Sequence, residues 1–337
     1  MLAQIGRAAA MGKAYGRADY PGGRHVKIAI IGAGMAGLTC AESLIEAGHE
    51  VHVFDKGRGP GGRMSTRRIE HAGETLHFDH GAQYFTVRDE AFARRVARWE
   101  ADGIAARWPA AGEDAWVGTP AMNAPIREMA ERVGAAFARQ VSGLARGESW
   151  TLRFEDGAPE TGFDGIVVAV PAEQAAALLE DHAEEFARIA AATRADPCWT
   201  LMAAFAARLD AGDTCRGAGA VGWAARNSAK PGRDARHEAW VVQAGPDWSR
   251  AMLEEERDAV VAKLLPAFAE ALGLTDLPEP LHLSAHRWRF AKSGKAGETS
   301  LWDEGARIGV CGDWLCGPRV ENAFLSGRAL AVRIGAA

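Results

Sequence analysis

The pattern of apolar and polar positions predicts that the ordered part of the chain begins with one βαβ unit. Residues 25–57 start with an apolar β-branched run, pass through a cluster of glycines and continue with apolar residues at helical spacing. The residues of the helical face and of the returning strand are Leu38, Ala41, Leu44 and Ile45, then Val51, Val53 and Phe54. Gly48 lies between these two groups, where a helix C-cap belongs. The predicted order is therefore strand, turn, helix, strand.

The remaining pattern predicts a second domain that interrupts the first. Strand-like runs that fit the first sheet lie at 150–157, 163–171 and 306–313. Between them, Ala-rich helical runs lie at 89–107 and 172–192, and further strand-like runs at 198–208, 238–243 and 281–289. The run at 163–171 is apolar enough for a strand that is buried on both faces.

Charge and cysteine usage narrow the functional classes. The 337 residues include 48% apolar side chains, enough for a large core, and carry a net charge of -5. With a pI near 6.1, the chain has no cationic field for nucleic acid or for an anionic membrane surface. Five scattered cysteines favour a reducing cytoplasm over a disulfide framework. Residues 1–23 are predicted to be a disordered extension, and no apolar run approaches the roughly 18 residues of a membrane span.

A glycine-rich turn follows the first predicted strand and opens the first predicted helix. Gly32, Gly34 and Gly37 form G-x-G-x-x-G, so main-chain N–H groups and the helix dipole can meet a pyrophosphate at close range. Asp55 ends the second strand and is placed to accept a hydrogen bond from an adenosine ribose. A structural glycine turn is the competing interpretation, but the complete strand-turn-helix context favours dinucleotide binding.

A second stretch, GAGAVG at 217–222, matches the glycine pattern without that context. A polar segment precedes it, and Asn227, Pro231 and Gly232 break any helix that would follow. The stretch is therefore predicted to be a loop or a hairpin tip. On this interpretation the chain lacks the second nucleotide-binding unit that many flavin reductases use for NAD(P)H.

The loop after Asp55 favours FAD over NAD as the dinucleotide. Residues 56–68, KGRGPGGRMSTRR, bring flexible glycines up to Arg63, whose guanidinium can reach a diphosphate. In FDHGAQYF, Gly81 would let the main chain approach an isoalloxazine ring, with Gln83 and Tyr84 beside it. A solvated basic loop and a plain turn are the competing interpretations of these two segments.

The stretch CGDWLCGPRVENAFLSG, residues 311–327, completes the predicted cofactor site. Cys311 and Cys316 lack a second Cys or His pair at zinc spacing, so no metal is predicted. Asp313 ends a strand and can accept hydrogen bonds from a ribityl chain, and the helix that starts at Glu321 can point its positive end at the flavin. Cofactor contacts are predicted for Gly32, Gly34, Ala36, Gly37, Asp55, Lys56, Gly62, Arg63, Gly81, Ala82, Gln83, Gly312, Asp313 and Val320.

These motifs together resemble the flavin-containing amine oxidase superfamily and, within it, the bacterial type of the renalase family. The segments that carry the resemblance are IAIIGAGMAGL, FDKGRGPGGRMS, HGAQYFTVRD, VGTPAMNAPI, WAARNSAKPGR, AHRWRFA and CGDWLCGPRVENAFLSG, in the same order. The resemblance spans about residues 26–333. It implies non-covalent FAD in a two-domain fold, with the substrate held over the flavin.

The implied reaction is oxidation of isomeric dihydronicotinamide dinucleotides, with hydride on C2 or C6, to NAD(P)+ and hydrogen peroxide. Its partners are this small-molecule substrate and O2, and the chain is expected to act as a cytoplasmic monomer. A dihydropyridine expels hydride from its own ring, so the reaction needs placement more than an acid or a base.

Several side chains are candidates for the substrate site, although a surface role or a structural hydrogen bond competes with each. The candidates are Asn227, Lys230, Arg233, Arg287, Trp288 and Glu321. True amine oxidases commonly place a Lys near the flavin, but no Lys occurs between Lys56 and Lys230. PRVENAF also has no pair of Tyr before the last helix. These departures put amine oxidation in doubt.

The predicted fold class is α/β: an FAD-binding Rossmann-like domain of the glutathione-reductase type with an inserted mixed α+β substrate domain. The first domain is predicted to comprise 24–88, 120–171 and 303–337, and the second 89–119 and 172–302. An amine oxidase or a desaturase on the same fold is the alternative enzyme. A flavin-binding sensor that never turns over is the alternative from a different class.

Overall fold

The computed structural model describes residues 25–217 and 219–335, so the predicted extension at 1–23 lies outside the described part. The strands are β1 Lys27–Ile31, β2 Glu50–Phe54, β3 Arg67–His71, β4 Glu74–Phe78, β5 Phe85–Thr86, β6 Ala105–Arg107, β7 Ala115–Gly118, β8 Val141–Arg146, β9 Trp150–Phe154, β10 Glu160–Phe163, β11 Gly165–Val168, β12 Asp196–Phe205, β13 Thr214–Cys215, β14 Val221–Arg226, β15 Glu238–Ala244, β16 Pro280–Lys292, β17 Leu301–Asp303 and β18 Ile308–Val310. The helices are α1 Met35–Glu46, α2 Glu90–Ala101, α3 Ala124–Val133, α4 Ala172–Leu179, α5 Glu184–Ala192, α6 Pro246–Ala251, α7 Arg257–Ala271, α8 Asp313–Cys316 and α9 Val320–Gly335.

The first sheet has the order β17-β18-β11-β1-β2, and its strands are parallel except for the edge strand β17. The predicted βαβ unit is confirmed as β1, α1 and β2. The chain leaves β1 toward β2 on one side and later adds β11 on the other, so the strand order reverses at β1. In open α/β sheets, ligands bind outside the carboxyl ends of the strands at such a point.

Helices α1 and α9 pack closely, and a glycine makes this possible. A Cβ on Gly327 would lie 2.2 Å from the Ala36 carbonyl oxygen and 3.1 Å from the Cys40 nitrogen. Leu38 of α1 and Leu330 of α9 belong to the same buried core. The last helix therefore holds the first turn of α1, which contains the predicted cofactor contacts, against the rest of the fold.

The second sheet is antiparallel, with the order β13-β14-β15-β12-β16. Helix α7 covers its outer face, where Leu264 and Phe268 pack against Trp240. Its inner face meets the β3–β4 hairpin through Met202 and Phe78. Of the stretch predicted as a loop or hairpin tip at 217–222, residue 218 lies outside the described part. The flanking strands β13 and β14 pair antiparallel, as a hairpin requires, and residues 221 and 222 already belong to β14.

Two segments pack differently from the predicted domain boundaries. Residues 172–192 were expected in the substrate domain, but Leu179 and Ala190 share a core with Ile166 of the first sheet. Residues 89–119 likewise share a core with α1 and α9 through Phe92 and other large side chains. In both cases the apolar face finds its partner on the first domain. The predicted helix at 89–107 ends at Ala101, and Gly103 with φ +70 turns the chain into β6.

Over the described residues, no helix is both long and apolar enough to cross a membrane.

The contact between α1 and α9 generates a testable prediction. Changing Gly327 to Ala should lower the free energy of unfolding by about 1–3 kcal/mol, because the new methyl group would push α9 away from α1. Gly335→Ala is the matched control, since it lies in the same helix and its Cβ would meet nothing within 4 Å. Denaturant unfolding of the two variants provides the measurement. Equal stability of both would contradict the close contact.

Candidate active site

The glycine turn after β1 has the geometry of a phosphate cradle. A Cβ on Gly32 would lie 2.4 Å from the Ala169 carbonyl oxygen, and one on Gly37 would lie 2.0 Å from the Gly32 carbonyl oxygen, so neither position accepts a side chain. Gly34 is the N-cap of α1 and offers no side-chain cap, and its Cβ would point into open space. The first N–H groups of α1 therefore have room for a pyrophosphate, which fits the predicted dinucleotide.

Asp55 orders this cradle. Its carboxylate accepts the Ala33 N–H at 2.8 Å and the Gly57 N–H at 2.7 Å. It thereby ties the glycine turn to the start of the loop after β2, at the carboxyl edge of the first sheet. A carboxylate has lone pairs left after two such bonds, so the predicted contact with a ribose hydroxyl fits this position.

Arg63 and Asp313, predicted to contact different parts of the cofactor, face each other. The Arg63 Nη1 and Nη2 atoms donate to the two Asp313 carboxylate oxygens at 2.9 and 2.5 Å, and the Ser293 hydroxyl donates to the same carboxylate at 2.8 Å. This bidentate pair joins the loop after β2 to the end of β18. The structure thus brings both residues to one place, and their individual cofactor contacts stay predictions.

Gly81 lies against the same loop. Its Cβ would come within 2.0 Å of the Arg63 carbonyl oxygen, which also accepts the Ala82 N–H at 2.8 Å. Any side chain at position 81 would separate these two segments. The other predicted contacts are more scattered: Gly62 is exposed with φ +51, Lys56 donates to Gln174, the Gly312 N–H donates to Ser326, and Val320 begins α9.

Asp79 is the centre of a buried network that sequence reasoning did not identify. Its side chain is fully buried and accepts hydrogen bonds from Thr66 Oγ1 at 2.6 Å and from the Met122 N–H at 3.0 Å. Lys230 Nζ donates to it at 3.2 Å and Arg233 Nη2 at 2.7 Å. Four separate parts of the chain therefore meet at one carboxylate.

The charges in this network do not cancel. Burial alone would raise the pKa of Asp79, but the charges of Lys230 and Arg233 and the bond from Thr66 hold it far below its usual value. Burial lowers the pKa of Lys230 to about 8, with Asp79 opposing and Arg233 adding to the shift. Two cations share one carboxylate near neutral pH, so one positive charge is in excess beside residues 80–83.

Several substrate-site candidates have other partners in the structure. Lys230 and Arg233 belong to the Asp79 network, and Asn227 spans between the Asp79 N–H and the His77 carbonyl. Glu321 accepts the main-chain N–H groups of residues 88 and 89 at 2.6 and 2.7 Å, so it anchors the start of α9. All four side chains thus have partners within the protein, and their contacts with a substrate stay predictions.

Arg287 and Trp288 do not share a site as expected. Successive residues of a strand point to opposite faces, and Arg287 lies on the outer face, where it donates to the Leu253 carbonyl at 2.6 Å. Trp288 lies on the inner face and donates its indole N–H to the His80 carbonyl at 2.8 Å. Of this pair, only Trp288 remains beside the predicted flavin segment.

The inner face of the second sheet presents a row of side chains that the sequence did not predict. Strand register aligns Trp223, Gln243, Thr200 and His286 across four strands, and we call these residues the inner row. Gln243 Nε2 donates to the Gly81 carbonyl at 2.7 Å, and the rings of Trp223 and Tyr84 lie 5.7 Å apart. The inner row therefore lies over residues 80–84. The inner row is defined by the pairing of strands that are distant in the sequence. No pattern within any one strand predicts it.

Two histidines of this region are neutral. Burial is the main cause that lowers the pKa of His80 to about 3 and that of His286 to about 4, with Arg67 as a further cause for both. Their rings lie 4.9 Å apart, and each lies about 5 Å from the Trp288 ring. The region is thus aromatic, polar and without a charged acid or base among the inner-row residues.

Comparisons with known proteins agree with this geometry. The family described as NAD(P)-binding Rossmann-like domain matches residues 30–99, and the family described as flavin containing amine oxidoreductase matches residues 108–335. Among curated relatives, the flavin-dependent L-tryptophan oxidase RebO of Lentzea aerocolonigenes is 43% identical over 58 residues. That match covers 17% of this chain and only 12% of the relative's length.

Solved structures share the whole fold at low sequence identity. Cyclohexylamine oxidase from Brevibacterium oxydans IH-35A matches with a TM-score of 0.68 and 12% identity, covering 93% of this chain and 99% of the other. Putrescine oxidase bound to putrescine matches with a TM-score of 0.66 and 15% identity, covering 93% and 100%. At 12–15% sequence identity, these matches show that the proteins share a fold and nothing more.

The Asp79 network generates the prediction for this site. Changing Asp79 to Asn should lower the free energy of unfolding by about 3–5 kcal/mol near neutral pH, because two buried cations lose their shared counter-charge. Thermal or denaturant unfolding at saturating FAD measures the loss.

The pH dependence of this loss has a defined sign. The folded-state pKa of Asp79 lies below the 3.8 of an ordinary aspartate, so its stabilisation is complete above about pH 4 and disappears as the pH falls through the folded value. The gap between wild type and Asp79→Asn should shrink in that acid range. Asp234→Asn removes an exposed partner of Arg236 and should cost less than ~1 kcal/mol. If Asp79→Asn and Asp234→Asn lowered the free energy of unfolding equally, the Asp79 network would not have the stabilising role expected here.

Proposed function

Because the chain belongs to the flavin containing amine oxidoreductase family and uses FAD as its cofactor, we propose that this flavin-dependent oxidoreductase is an oxidase of the renalase type. Its substrates are the 2- and 6-dihydro isomers of NAD(P)H, and its products are NAD(P)+ and hydrogen peroxide. Bound FAD supplies the hydride acceptor and returns two electrons to O2, which takes up two protons. The role of such a reaction is repair of a damaged cofactor, and we place it in the cytoplasm.

One observation carries the proposal: the inner row over residues 80–84 is uncharged and rich in aromatic and amide groups. Trp223 of the inner row and the neighbouring Trp288 are the indole rings on this side of the sheet, and Gln243 is the amide. The guanidinium of Arg216 lies 4.7 Å from the centre of the Trp223 ring. A flat, neutral dihydropyridine ring that carries an amide substituent matches these groups. Because such a ring expels hydride with its own nitrogen lone pair, the protein needs to place it and to exclude water, without a catalytic base.

The charge beside this region disfavours an amine as substrate. Amines are mostly protonated near neutral pH, and a free carboxylate beside the site would favour binding of the cation. Asp79, the buried carboxylate next to residues 80–83, is already shared by Lys230 and Arg233. The excess positive charge of this network repels an ammonium group in a medium where charges are poorly screened. The same charge attracts the negative charge that collects on a reduced flavin.

The relatives nevertheless define the competing reaction. The three similar proteins named above are oxidases of L-tryptophan, putrescine and cyclohexylamine, each of which carries an amino group. An amine oxidase on the same fold is therefore the alternative that an experiment must separate.

The experiment mixes the yellow protein anaerobically with borohydride-reduced NAD+, which contains the 2-, 4- and 6-dihydro isomers. We expect rapid bleaching of the flavin band near ~450 nm by this mixture and none by pure 4-dihydro NADH, because only the other two isomers place their hydride correctly. Admitting air should then restore the band and release hydrogen peroxide.

Putrescine and cyclohexylamine, tested at the same concentrations, are the control substrates. Bleaching by either amine and not by the isomer mixture would overturn the proposed substrate and leave only the flavin fold. Bleaching once by the mixture without repeated turnover in air would instead favour a flavin-binding sensor.

A further inference from the structure

Two neighbouring histidines of the site are held in opposite, defined tautomers. His80 Nδ1 lies 3.1 Å from the Ser65 carbonyl oxygen, which can only accept, so this nitrogen carries the proton. Arg67 Nη2 lies 3.2 Å from His286 Nδ1, and because a guanidinium can only donate, this nitrogen is unprotonated. One short segment, residues 65–67, thus sets the proton positions of both rings.

The Nε2 atoms of the two rings are complementary in their hydrogen-bonding roles. Both imidazoles are neutral, because burial lowers the pKa of each well below the neutral range. The Nε2 atom of His80 is therefore a hydrogen-bond acceptor, and the Nε2 atom of His286 carries a proton and is a donor. Neither atom has a hydrogen-bond partner within residues 25–217 and 219–335. The ring centroids are 4.9 Å apart with an angle of 76° between the planes.

A fixed pair of one donor and one acceptor matches a ligand group that presents an acceptor and a donor side by side. A primary carboxamide presents a carbonyl that accepts and an NH2 group that donates, on the same carbon. A carboxylate offers acceptors alone and an ammonium offers donors alone, so each would satisfy one histidine and oppose the other. A ketone would satisfy the donor only.

We infer that His80 and His286 form a binding site for a primary carboxamide, with His286 Nε2–H donating to its carbonyl oxygen and His80 Nε2 accepting from its NH2 group. The identity of the ligand rests on the proposed function, in which this group is the carboxamide of the nicotinamide ring. Trp288 contacts both imidazoles and donates to the His80 carbonyl, so it fixes the pair on the inner side of β16.

The test uses variants that delete only the Nε2 atoms. Asn in place of His80 keeps a donor for the Ser65 carbonyl, and Asn in place of His286 keeps an acceptor for Arg67, while both lose the Nε2 atom. His282→Asn is the matched control, because His282 lies on the same strand and face, four residues from His286, and has its own partner in Ser284. The flavin content of each variant confirms that the holoenzyme is intact.

Binding of NAD+ and of 3-acetylpyridine adenine dinucleotide to the oxidised holoenzyme is measured by calorimetry. The analogue replaces the NH2 group by a methyl group and keeps the carbonyl. Wild type should bind NAD+ about tenfold more tightly than the analogue, as expected for one buried hydrogen bond. His286→Asn should weaken both ligands about tenfold, and His80→Asn should weaken NAD+ alone, which abolishes the preference. His282→Asn should change neither.

The inference is overturned if wild type binds the two dinucleotides equally, or if His80→Asn weakens both alike or neither. The comparison of the two dinucleotides in wild type needs no variant, so a folding defect cannot affect that result.

Benzamide carries the carboxamide group and acetophenone carries the methyl ketone group, both without a nucleotide. These two ligands separate this inference from the proposed function. If the dihydro isomers fail to reduce the flavin but His80→Asn abolishes a preference for benzamide, the function fails and the carboxamide site stands. If the isomers reduce the flavin and the preference for NAD+ survives in His80→Asn, the inference fails alone.

Discussion

The fold depends on one fully buried carboxylate. Asp79 follows β4 and is shared by Lys230 and Arg233, which come from the other domain, and by the hydroxyl of Thr66 in the segment before β3. A buried ionised group is tolerated only when its partners replace the water it has lost, so none of these segments can move away without leaving a charge unpaired. This constraint holds the segment after β14 against the loop after β4, directly beside residues 80–84.

The same constraint shapes the chemistry. Because two cations share the carboxylate, the network keeps an excess positive charge next to a region whose own side chains are neutral. The neutral rings of His80 and His286 offer hydrogen-bond donors and acceptors without a charge, and so does the amide of Gln243. Such a site can orient a neutral ring and favour transfer of negative charge to the flavin, but it offers an ammonium ion no counter-charge.

Close main-chain contacts play the equivalent role on the cofactor side. Gly32, Gly37 and Gly81 each leave no room for a Cβ, and Gly327 lets α9 support the first turn of α1. These glycines place the loop after β2, the phosphate cradle and the end of β18 at one edge of the first sheet. The predicted cofactor site thus combines close main-chain contacts with the side chains of Asp55, Arg63 and Asp313, whereas the proposed substrate site is lined by side chains from the second sheet.

The sequence by itself determined the βαβ unit, the glycine turn with Asp55 and the main strands, because helical and strand periodicity and glycine requirements are local. It did not determine which domain covers the helices at 172–192, nor that Arg287 and Trp288 lie on opposite sides of the substrate region. The inner row and the Asp79 network were decided by tertiary structure alone. Cross-strand register joins Thr200 to His286, and the shared carboxylate joins Asp79 to Lys230. No local pattern encodes which of these distant groups will meet.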